Sequence, residues 1–166
     1  MKRRLAPIAI CSIFVLCRAA AVSATPIHHT IERNGYKFAI DSAGRTRSAS
    51  GQLRIDDAVL RSRRAQARTG GSDRKPTDDG GHYIAARFGG PTDKFNHFAQ
   101  DRNFNRGAYR SMEEGWAKSI KEGHKVKVDI SPHYSGGSQR PDQLTVRWTI
   151  DGHPKKSFLA NQPGGK

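Results

Sequence analysis

Apolar and polar residues alternate along three short stretches of this chain, at residues 36–40, 125–130 and 144–150. A period of two is typical of strands that bury one face. Turn residues 41–44 follow the first stretch, and the run from there to Ile55 is predicted to return as one or two strands. Residues 155–159 follow a further turn at residues 151–152. The pattern therefore predicts an antiparallel sheet that begins with a small meander.

One longer stretch follows the helical period instead. Between residues 105 and 122, apolar side chains recur every three or four positions, at Tyr109, Met112, Trp116 and Ile120. Asn105 is a residue type that favours a helix N-cap, and Gly123 favours a helix end. The sequence thus predicts an α+β fold with one helix of about five turns. Asn105 and Glu113 are eight positions apart and lie on one stripe of that helix.

The first 24 residues have the pattern of an export signal. Three cations precede an apolar run, and small residues end at Ala24. The apolar run is too short to span a bilayer. We therefore expect cleavage after Ala24, a secreted or periplasmic location, and no stable membrane association afterwards. Both cysteines lie in the segment that is removed, so the mature chain is expected to contain no disulfide.

The remaining chain, residues 25–166, is expected to form a single, strongly basic domain. The net charge of the full sequence is +14, and the export segment contains four cations and no acid, which leaves +10. Nucleic acid is the leading candidate for an acidic partner, because binding to cations releases its condensed counterions. A charge that serves only solubility is the alternative. A basic linker at residues 58–78 is expected between the meander, at residues 30–57, and a core at residues 79–162.

Side chains that could take part in catalysis or metal binding are concentrated between residues 78 and 113. Two glycines precede His82, and glycine lets a phosphate approach the main chain closely. Three carboxamides and an acid follow, at Asn96, Gln100, Asn105 and Glu113. Imidazole, carboxamide and carboxylate are the parts of a metal-dependent phosphodiesterase. Taken singly, each has a structural alternative: His82 as a structural histidine, Asn105 as a helix cap and Glu113 as a solvated acid.

The motif Asp-Gly-Gly-His at residues 79–82, followed by those four residues in that order and spacing, resembles the DNA/RNA non-specific endonucleases of the ββα-metal superfamily. The similarity covers about residues 30–162 and includes Asn-Arg-Gly-Ala-Tyr at the helix start. The motif form is similar to a bacterial branch often found in secreted toxins. The resemblance implies a ββα-metal nuclease core, in which an antiparallel sheet accompanies one long helix that carries the metal ligand.

The resemblance also implies a role for each position. His82 would be the general base that takes a proton from the attacking water. Asn105 would be the one direct protein ligand to a divalent cation, Mg²⁺ or Mn²⁺. Glu113 would complete the catalytic group by holding metal-bound water. Hydrogen-bonding support would come from Asp79, Asn96 and Gln100.

Two arginines of the family's best-known members are replaced here by Gly80 and Ala117. A cation that stabilises the transition state is therefore expected elsewhere in the chain. The candidates for phosphate binding are Arg63, Arg64, Arg87, Lys118 and Arg140. For the arginine-rich residues 54–68, a solvated face or loosely ordered linker is the alternative.

The sequence as a whole predicts a secreted endonuclease that hydrolyses DNA and RNA without regard to base sequence or sugar. A cognate acidic inhibitor, or immunity protein, is a further candidate partner. The alternative is a basic nucleic-acid-binding protein that keeps the fold without cleavage, but such a protein does not need His82, Asn105 and Glu113 together. A zinc site built on histidine lacks the usual ligands, and a solvated terminus is expected at His28-His29.

Overall fold

A computed structural model describes residues 26–56 and 67–165 of the chain. Eight strands are present there: β1 (Ile27–Arg33), β2 (Tyr36–Asp41), β3 (Thr46–Gln52), β4 (Asp78–His82), β5 (His97–Asp101), β6 (Val126–His133), β7 (Gln143–Ile150) and β8 (His153–Ala160). Six of them form one antiparallel sheet in the order β1-β2-β3-β6-β7-β8, and β4 pairs with β5 as a separate hairpin. The α+β class and the antiparallel sheet predicted from the sequence are confirmed.

The main sheet has one buried face and one face open to solvent. In β6, the apolar residues Val126, Val128 and Ile130 are buried, whereas Lys127 and Asp129 between them are exposed. Because successive side chains of a strand point to opposite sides, all three apolar residues face the core. Burial of this face is the main reason why these residues form a sheet.

The long helix follows β5 directly and has three parts. These are α1 (Arg102–Phe104), a π-helical turn (Asn105–Tyr109) and α2 (Arg110–Lys121). Trp116 of α2 is buried, and its ring meets that of Trp148 on β7 edge-on, with 6.0 Å between centroids. The helix ends before Gly123, whose φ of 90° suits glycine. The predicted long helix and its stop are therefore present.

Polar contacts attach the β4–β5 hairpin to the rest of the fold. Arg140, in the loop before β7, donates from Nε and Nη2 to the two carboxylate oxygens of Asp78, each at 2.8 Å. Both side chains are buried. Asn161, after β8, donates to the Ala99 carbonyl at 2.8 Å and accepts from the Asp101 N–H at 2.8 Å. Charge and hydrogen bonding therefore help to fix the position of the hairpin, in addition to the packing of Phe98 in the core.

Two polar segments form strands that the sequence pattern did not predict. His28 and His29 are exposed, as expected for a solvated segment, but they belong to the edge strand β1, in which Ile31 pairs with Phe38 of β2. Residues 78–82, for which no strand was predicted, form β4, because pairing with β5 satisfies their main-chain groups. Neither strand has the apolar alternation on which the prediction depended.

Several predictions concern residues outside the described ranges: the export segment, and Arg63 and Arg64 within the basic linker. The division of the chain into meander, linker and core likewise stays a prediction. Among the residues that the structure describes, no helix is both long enough and apolar enough to cross a bilayer.

Candidate active site

His82 is the last residue of β4, and the glycine before it allows a close approach across the hairpin. His82 pairs with His97, and Asp79 pairs with Gln100. A Cβ on Gly81 would lie 2.0 Å from Gln100 Oε1, so any larger residue would displace that amide. The rings of His82 and His97 are 4.8 Å apart between centroids and tilted by 50°. The hairpin therefore sets His82 beside a second imidazole.

The helix begins three residues earlier than predicted, and Asn105 is not its cap. Asp101 is the N-cap, because its Oδ1 accepts from the main-chain N–H groups of Asn103 at 2.9 Å and Phe104 at 3.1 Å. Asn105 has helical angles, φ −57° and ψ −49°, and begins the π-helical turn. Turns of this kind occur frequently at functional sites. The Asn105 side chain is consequently available for another contact.

Asp79 holds the Asn105 side chain in one orientation. The amide nitrogen Nδ2 of Asn105 donates to Asp79 Oδ2 at 3.1 Å. An ionised carboxylate only accepts hydrogen bonds, so the nitrogen must face it and the amide oxygen Oδ1 faces elsewhere. A carboxamide oxygen is a hard donor of the type that Mg²⁺ binds. The contact therefore leaves a cation-binding atom available.

Two arginines converge on the same carboxylate. Arg106 donates to Asp79 from Nε at 3.0 Å and from Nη2 at 3.3 Å, and Arg102 Nε lies 3.5 Å from Oδ1. Burial opposes ionisation of Asp79, but hydrogen bonds from Asn105 and Arg106 outweigh it and lower the pKa of the carboxyl. Neither arginine was among the site residues predicted from the sequence. Their spacing of four residues around Asn105 was the available signal.

Contacts along the helix align it with the segment that contains His82. Asn105 contacts Asp79, and one turn later the Tyr109 hydroxyl donates to the Tyr83 carbonyl oxygen at 2.9 Å. Positions 79 and 83 lie on either side of His82 in the chain. The two contact residues of the helix are four positions apart, and so are the two residues that they contact. His82 lies between these two contacts in the chain.

Glu113 lies one turn beyond Tyr109 and is partly buried. Desolvation raises the pKa of the Glu113 carboxyl to about 7, against the opposing charge of Arg87. The electrostatic interaction of Glu113 with Arg87 follows the same spacing, because each residue lies four positions after the preceding contact residue. A carboxyl with this pKa is about half protonated at neutral pH, and a nearby cation would favour its ionised form.

The two other predicted carboxamides lie inside the fold. Asn96 accepts from the Ile84 N–H at 2.9 Å and donates to the carbonyl oxygens of Ile84 at 2.8 Å and Pro91 at 2.9 Å. It therefore fixes the loop that follows His82. Gln100 is fully buried, and neither polar atom of its side chain has a hydrogen-bond partner in the described part of the chain. A buried amide in that state costs about 1–3 kcal/mol.

The predicted phosphate-binding cations that the structure describes differ in availability. Arg140 is buried in its ion pair with Asp78, so its guanidinium is committed to the fold and not presented to a substrate. Arg87 is partly buried and Lys118 is exposed, and both line a shallow pocket of about 430 Å³ beside α2. Of the three described candidates, Arg87 and Lys118 are accessible to solvent and Arg140 is not.

A cavity of about 580 Å³ opens beside the hairpin and is lined by His97, Tyr83 and Tyr134, among others, rather than by His82 or Asn105. Burial lowers the pKa of His97, against the opposing effect of the Asp93 carbonyl, which lies 2.8 Å from Nδ1. His97 is therefore mostly neutral at pH 7, with the proton on Nδ1. The neighbour of His82 thus adds little positive charge.

Within residues 26–56 and 67–165, no three side chains of the His, Cys, Asp and Glu types gather as a metal site. The donor that these residues do offer is the Asn105 oxygen, oriented by Asp79, with Glu113 two turns along the same helix. One protein oxygen suits a hard cation such as Mg²⁺, which keeps most of its water ligands. The donor set therefore fits a hydrated divalent cation.

Known proteins similar to this chain include curated relatives and solved structures. A model of the DNA/RNA non-specific endonuclease family matches residues 26–152. The type VII secretion system protein EssD of Staphylococcus aureus (strain USA300) is 36% identical over 138 residues, which cover 77% of this chain and 22% of EssD. The chain thus spans about a fifth of the length of the curated relatives it matches.

Two solved nucleases share the fold. NucA from Streptococcus agalactiae with bound magnesium has a TM-score of 0.56 and 14% identity, over 82% of this chain and 83% of NucA. The Sda1 nuclease with bound zinc has a TM-score of 0.60 and 15% identity, over 78% of this chain and 76% of Sda1. The family match covers most of the chain and includes the whole hairpin and helix that position His82 and Asn105. This chain belongs to the DNA/RNA non-specific endonuclease family.

Proposed function

We propose that this chain hydrolyses phosphodiester bonds within DNA and RNA, with a divalent cation and with His82 as the general base. The alignment of the helix with the segment around His82 is the observation that carries the proposal. Helix contacts at Asp79 and Tyr83 lie on either side of the histidine, and the same helix bears Asn105 and Glu113. Adjacent elements therefore supply a base, a cation-binding oxygen and a carboxylate.

In this proposal His82 accepts a proton from the attacking water through an imidazole nitrogen. The neutral form of an imidazole can accept a proton, which is why histidine often serves as a general base. The pairing with His97 places His82 at the end of the hairpin, and Asn96 fixes the loop that follows. Both contacts restrict the position of the base.

Asn105 would hold the divalent cation, Mg²⁺ or Mn²⁺, through Oδ1, and Glu113 would bind water ligands of that cation. When bound, such a cation polarises the phosphate and neutralises the negative charge that develops on the leaving oxygen. Asp79 acts as a positioning residue, because its hydrogen bond fixes the direction of the Asn105 amide. Gln100 lies against Gly81 on the buried side of the hairpin, but among the described residues its side chain makes none of the hydrogen bonds expected of a supporting residue.

The substrate range follows from which atoms the site engages. Contacts to the phosphodiester alone carry no information about base or sugar, and the basic chain favours any polyanion. We further propose that the protein acts in the periplasm or outside the cell. The pattern of residues 1–24 supports export, and the relative EssD is named as a secretion system protein. An acidic inhibitor protein would complement the positive surface and stays a candidate partner.

The test is cleavage of plasmid DNA and of a long RNA by the purified chain, with Mg²⁺ or Mn²⁺ and with EDTA. We expect both nucleic acids to be cut, and we expect EDTA to stop the reaction. His82→Ala should lower the rate by about 10²–10⁴-fold, the usual contribution of a positioned base. His153→Ala, at the exposed start of β8, is the matched control and should keep the full rate.

Cutting that continues in EDTA, or that survives His82→Ala undiminished, would contradict the mechanism. A folded protein that binds plasmid but cuts neither nucleic acid with either cation would favour the alternative function. That alternative is a basic nucleic-acid-binding protein that keeps this fold without cleavage.

A further inference from the structure

Two exposed guanidinium groups lie beside the candidate cation ligand. The side chains of Arg102 and Arg106 are 47% and 65% exposed, and both contact Asp79, which is 21% exposed. One carboxylate cannot neutralise two guanidinium groups, so the three side chains together carry a charge of about +1. Asn105 lies between the two arginines in the chain and shares the same carboxylate. An excess of positive charge is therefore adjacent to the Asn105 amide.

Among the described residues, most of the hydrogen-bond donors of these arginines have no recorded protein acceptor. A guanidinium has five N–H groups. Arg106 contacts Asp79 through Nε and Nη2, and Arg102 does so through Nε alone. The planar fork of the remaining donors matches the oxygens of a phosphate. Because Asp79 already restrains both side chains, binding an anion would cost less side-chain entropy than for unrestrained arginines.

The motif at residues 79–82 contains no lysine or arginine, so it supplies no cation of its own for a phosphate. Gly80 occupies the position between Asp79 and Gly81, and it brings no charge to the hairpin. The positive charge next to the motif comes instead from the helix, through contacts to Asp79. The reacting phosphate is expected at the cation on Asn105, so arginines immediately beside Asn105 are placed for the next phosphate along the strand.

We propose that Arg102 and Arg106 form a phosphate clamp, which binds a backbone phosphate of the nucleic acid next to the phosphate that is cleaved. The proposal rests on the proposed function, because it places the reacting phosphate at Asn105. The clamp contributes to substrate affinity and positioning, and it does not contact the reacting atoms. It explains why two arginines converge on a single carboxylate at the surface.

The first test measures the affinity for a fluorescein-labelled single-stranded DNA of 12 nucleotides over a range of salt concentrations. His82→Ala is the background, so that the probe stays intact. The double variant Arg102→Gln/Arg106→Gln should bind about tenfold more weakly at low salt, and the slope of log affinity against log salt should become shallower by about one. Glutamine retains an amide that can donate to Asp79.

The matched control is Arg147→Gln/Lys156→Gln, which removes the same charge from paired, exposed positions of β7 and β8. This control should leave the salt slope of the parent unchanged. The unfolding midpoint of the clamp variant should equal that of the parent. If the clamp variant and the control have the same salt slope, the proposal is overturned, because the arginines then act only as general positive charge.

The second test compares two substrates with the catalytic histidine restored. For a long oligonucleotide, Arg102→Gln/Arg106→Gln should raise KM about tenfold and leave kcat nearly unchanged. For bis(p-nitrophenyl) phosphate, which has a single phosphate, neither value should change. An equal loss on both substrates would overturn the clamp and indicate that the arginines serve only to position Asp79. If the parent cleaves neither substrate, the proposed function fails, whereas the binding test still decides the clamp.

Discussion

Asp78 and Asp79 are adjacent carboxylates that both pair with arginine, yet their surroundings are opposite. The Asp78 side chain is fully buried, and the side chain of its partner Arg140 is almost fully buried. Asp79 is partly exposed and contacts two exposed arginines of the helix as well as the Asn105 amide. Consecutive residues of β4 thus make different contacts: Asp78 pairs inside the fold, and Asp79 pairs at the surface.

The alternation of side chains along a strand explains the difference. Neighbouring residues of β4 point to opposite sides, so Asp78 faces the loop before β7 and Asp79 faces the helix. A buried ion pair that loses one partner leaves an uncompensated charge, which is strongly destabilising. Exposed pairs contribute little because water and salt screen them. We therefore expect Asp78 to govern stability and Asp79 to govern activity.

The largest expected effect is the loss of stability in Arg140→Ala. The substitution leaves the buried Asp78 carboxylate without its guanidinium, so the free energy of unfolding should fall by about 3–5 kcal/mol. Urea denaturation monitored by circular dichroism measures the change. Arg106→Ala, which removes an exposed partner of Asp79, is the matched control and should cost less than about 1 kcal/mol.

The double variant Asp78→Ala/Arg140→Ala sharpens the same comparison. Because it leaves no lone buried charge, it should recover part of the stability that Arg140→Ala loses. A loss below 1 kcal/mol in Arg140→Ala, or equal losses in Arg140→Ala and Arg106→Ala, would contradict the assignment of Asp78 to stability.

The next effect is the loss of activity in Asp79→Ala. Without the carboxylate the Asn105 amide loses its fixed direction, so the rate of DNA cleavage should fall by about 10–100-fold. The Mg²⁺ concentration that gives half the maximal rate should rise. Asp129→Ala, on the exposed face of β6, is the control and should change neither value. An unaltered rate in Asp79→Ala, or a loss of stability as large as that of Arg140→Ala, would remove the distinction between the two acids.

The same contrast explains which parts of the fold could be predicted. Strands β2, β6 and β7 were recognisable because one face of each is buried and apolar residues therefore alternate along it. The hairpin was not recognisable, because β4 is polar and glycine-rich, β5 lacks apolar alternation, and the position of both depends on distant partners. Arg140 lies 62 positions from Asp78, and no local pattern indicates such a pairing.

Prediction of the candidate site had a similar limit. The Asp-Gly-Gly-His motif and the order and spacing of the four polar residues after it, Asn96, Gln100, Asn105 and Glu113, were enough to recognise the family. The local role of Asn105 as a helix cap was wrong, because Asp101 competes for the same main-chain donors and the helix begins earlier. The spacing of apolar residues along the helix does not indicate the π-helical turn. The partners of Asp79 likewise depend on how the helix crosses the hairpin, which only the fold determines.

The smallest expected effect concerns stability in acid. Burial opposes ionisation of Asp78, but the hydrogen bond and charge of Arg140 outweigh it, so the pKa of the carboxyl is lowered. The pKa of Asp79 is lowered as well. A carboxyl of this kind stabilises the fold above its unfolded pKa of about 3.9. That stabilisation is lost as the pH falls through the lower folded pKa, by at most about 1.4 kcal/mol per pH unit for each group.

Urea denaturation at pH 7, 4 and 3 can separate the two carboxyls. Removing the buried pair in Asp78→Ala/Arg140→Ala should flatten the pH dependence more than Asp79→Asn does, because solvent screens the pairs of Asp79. In 1 M salt, the contribution of Asp79 should vanish and that of Asp78 should persist, since a buried pair is screened much less. Equal flattening by the two variants, or a contribution of Asp78 that disappears in salt, would show that the two acids do not differ in the way their burial implies.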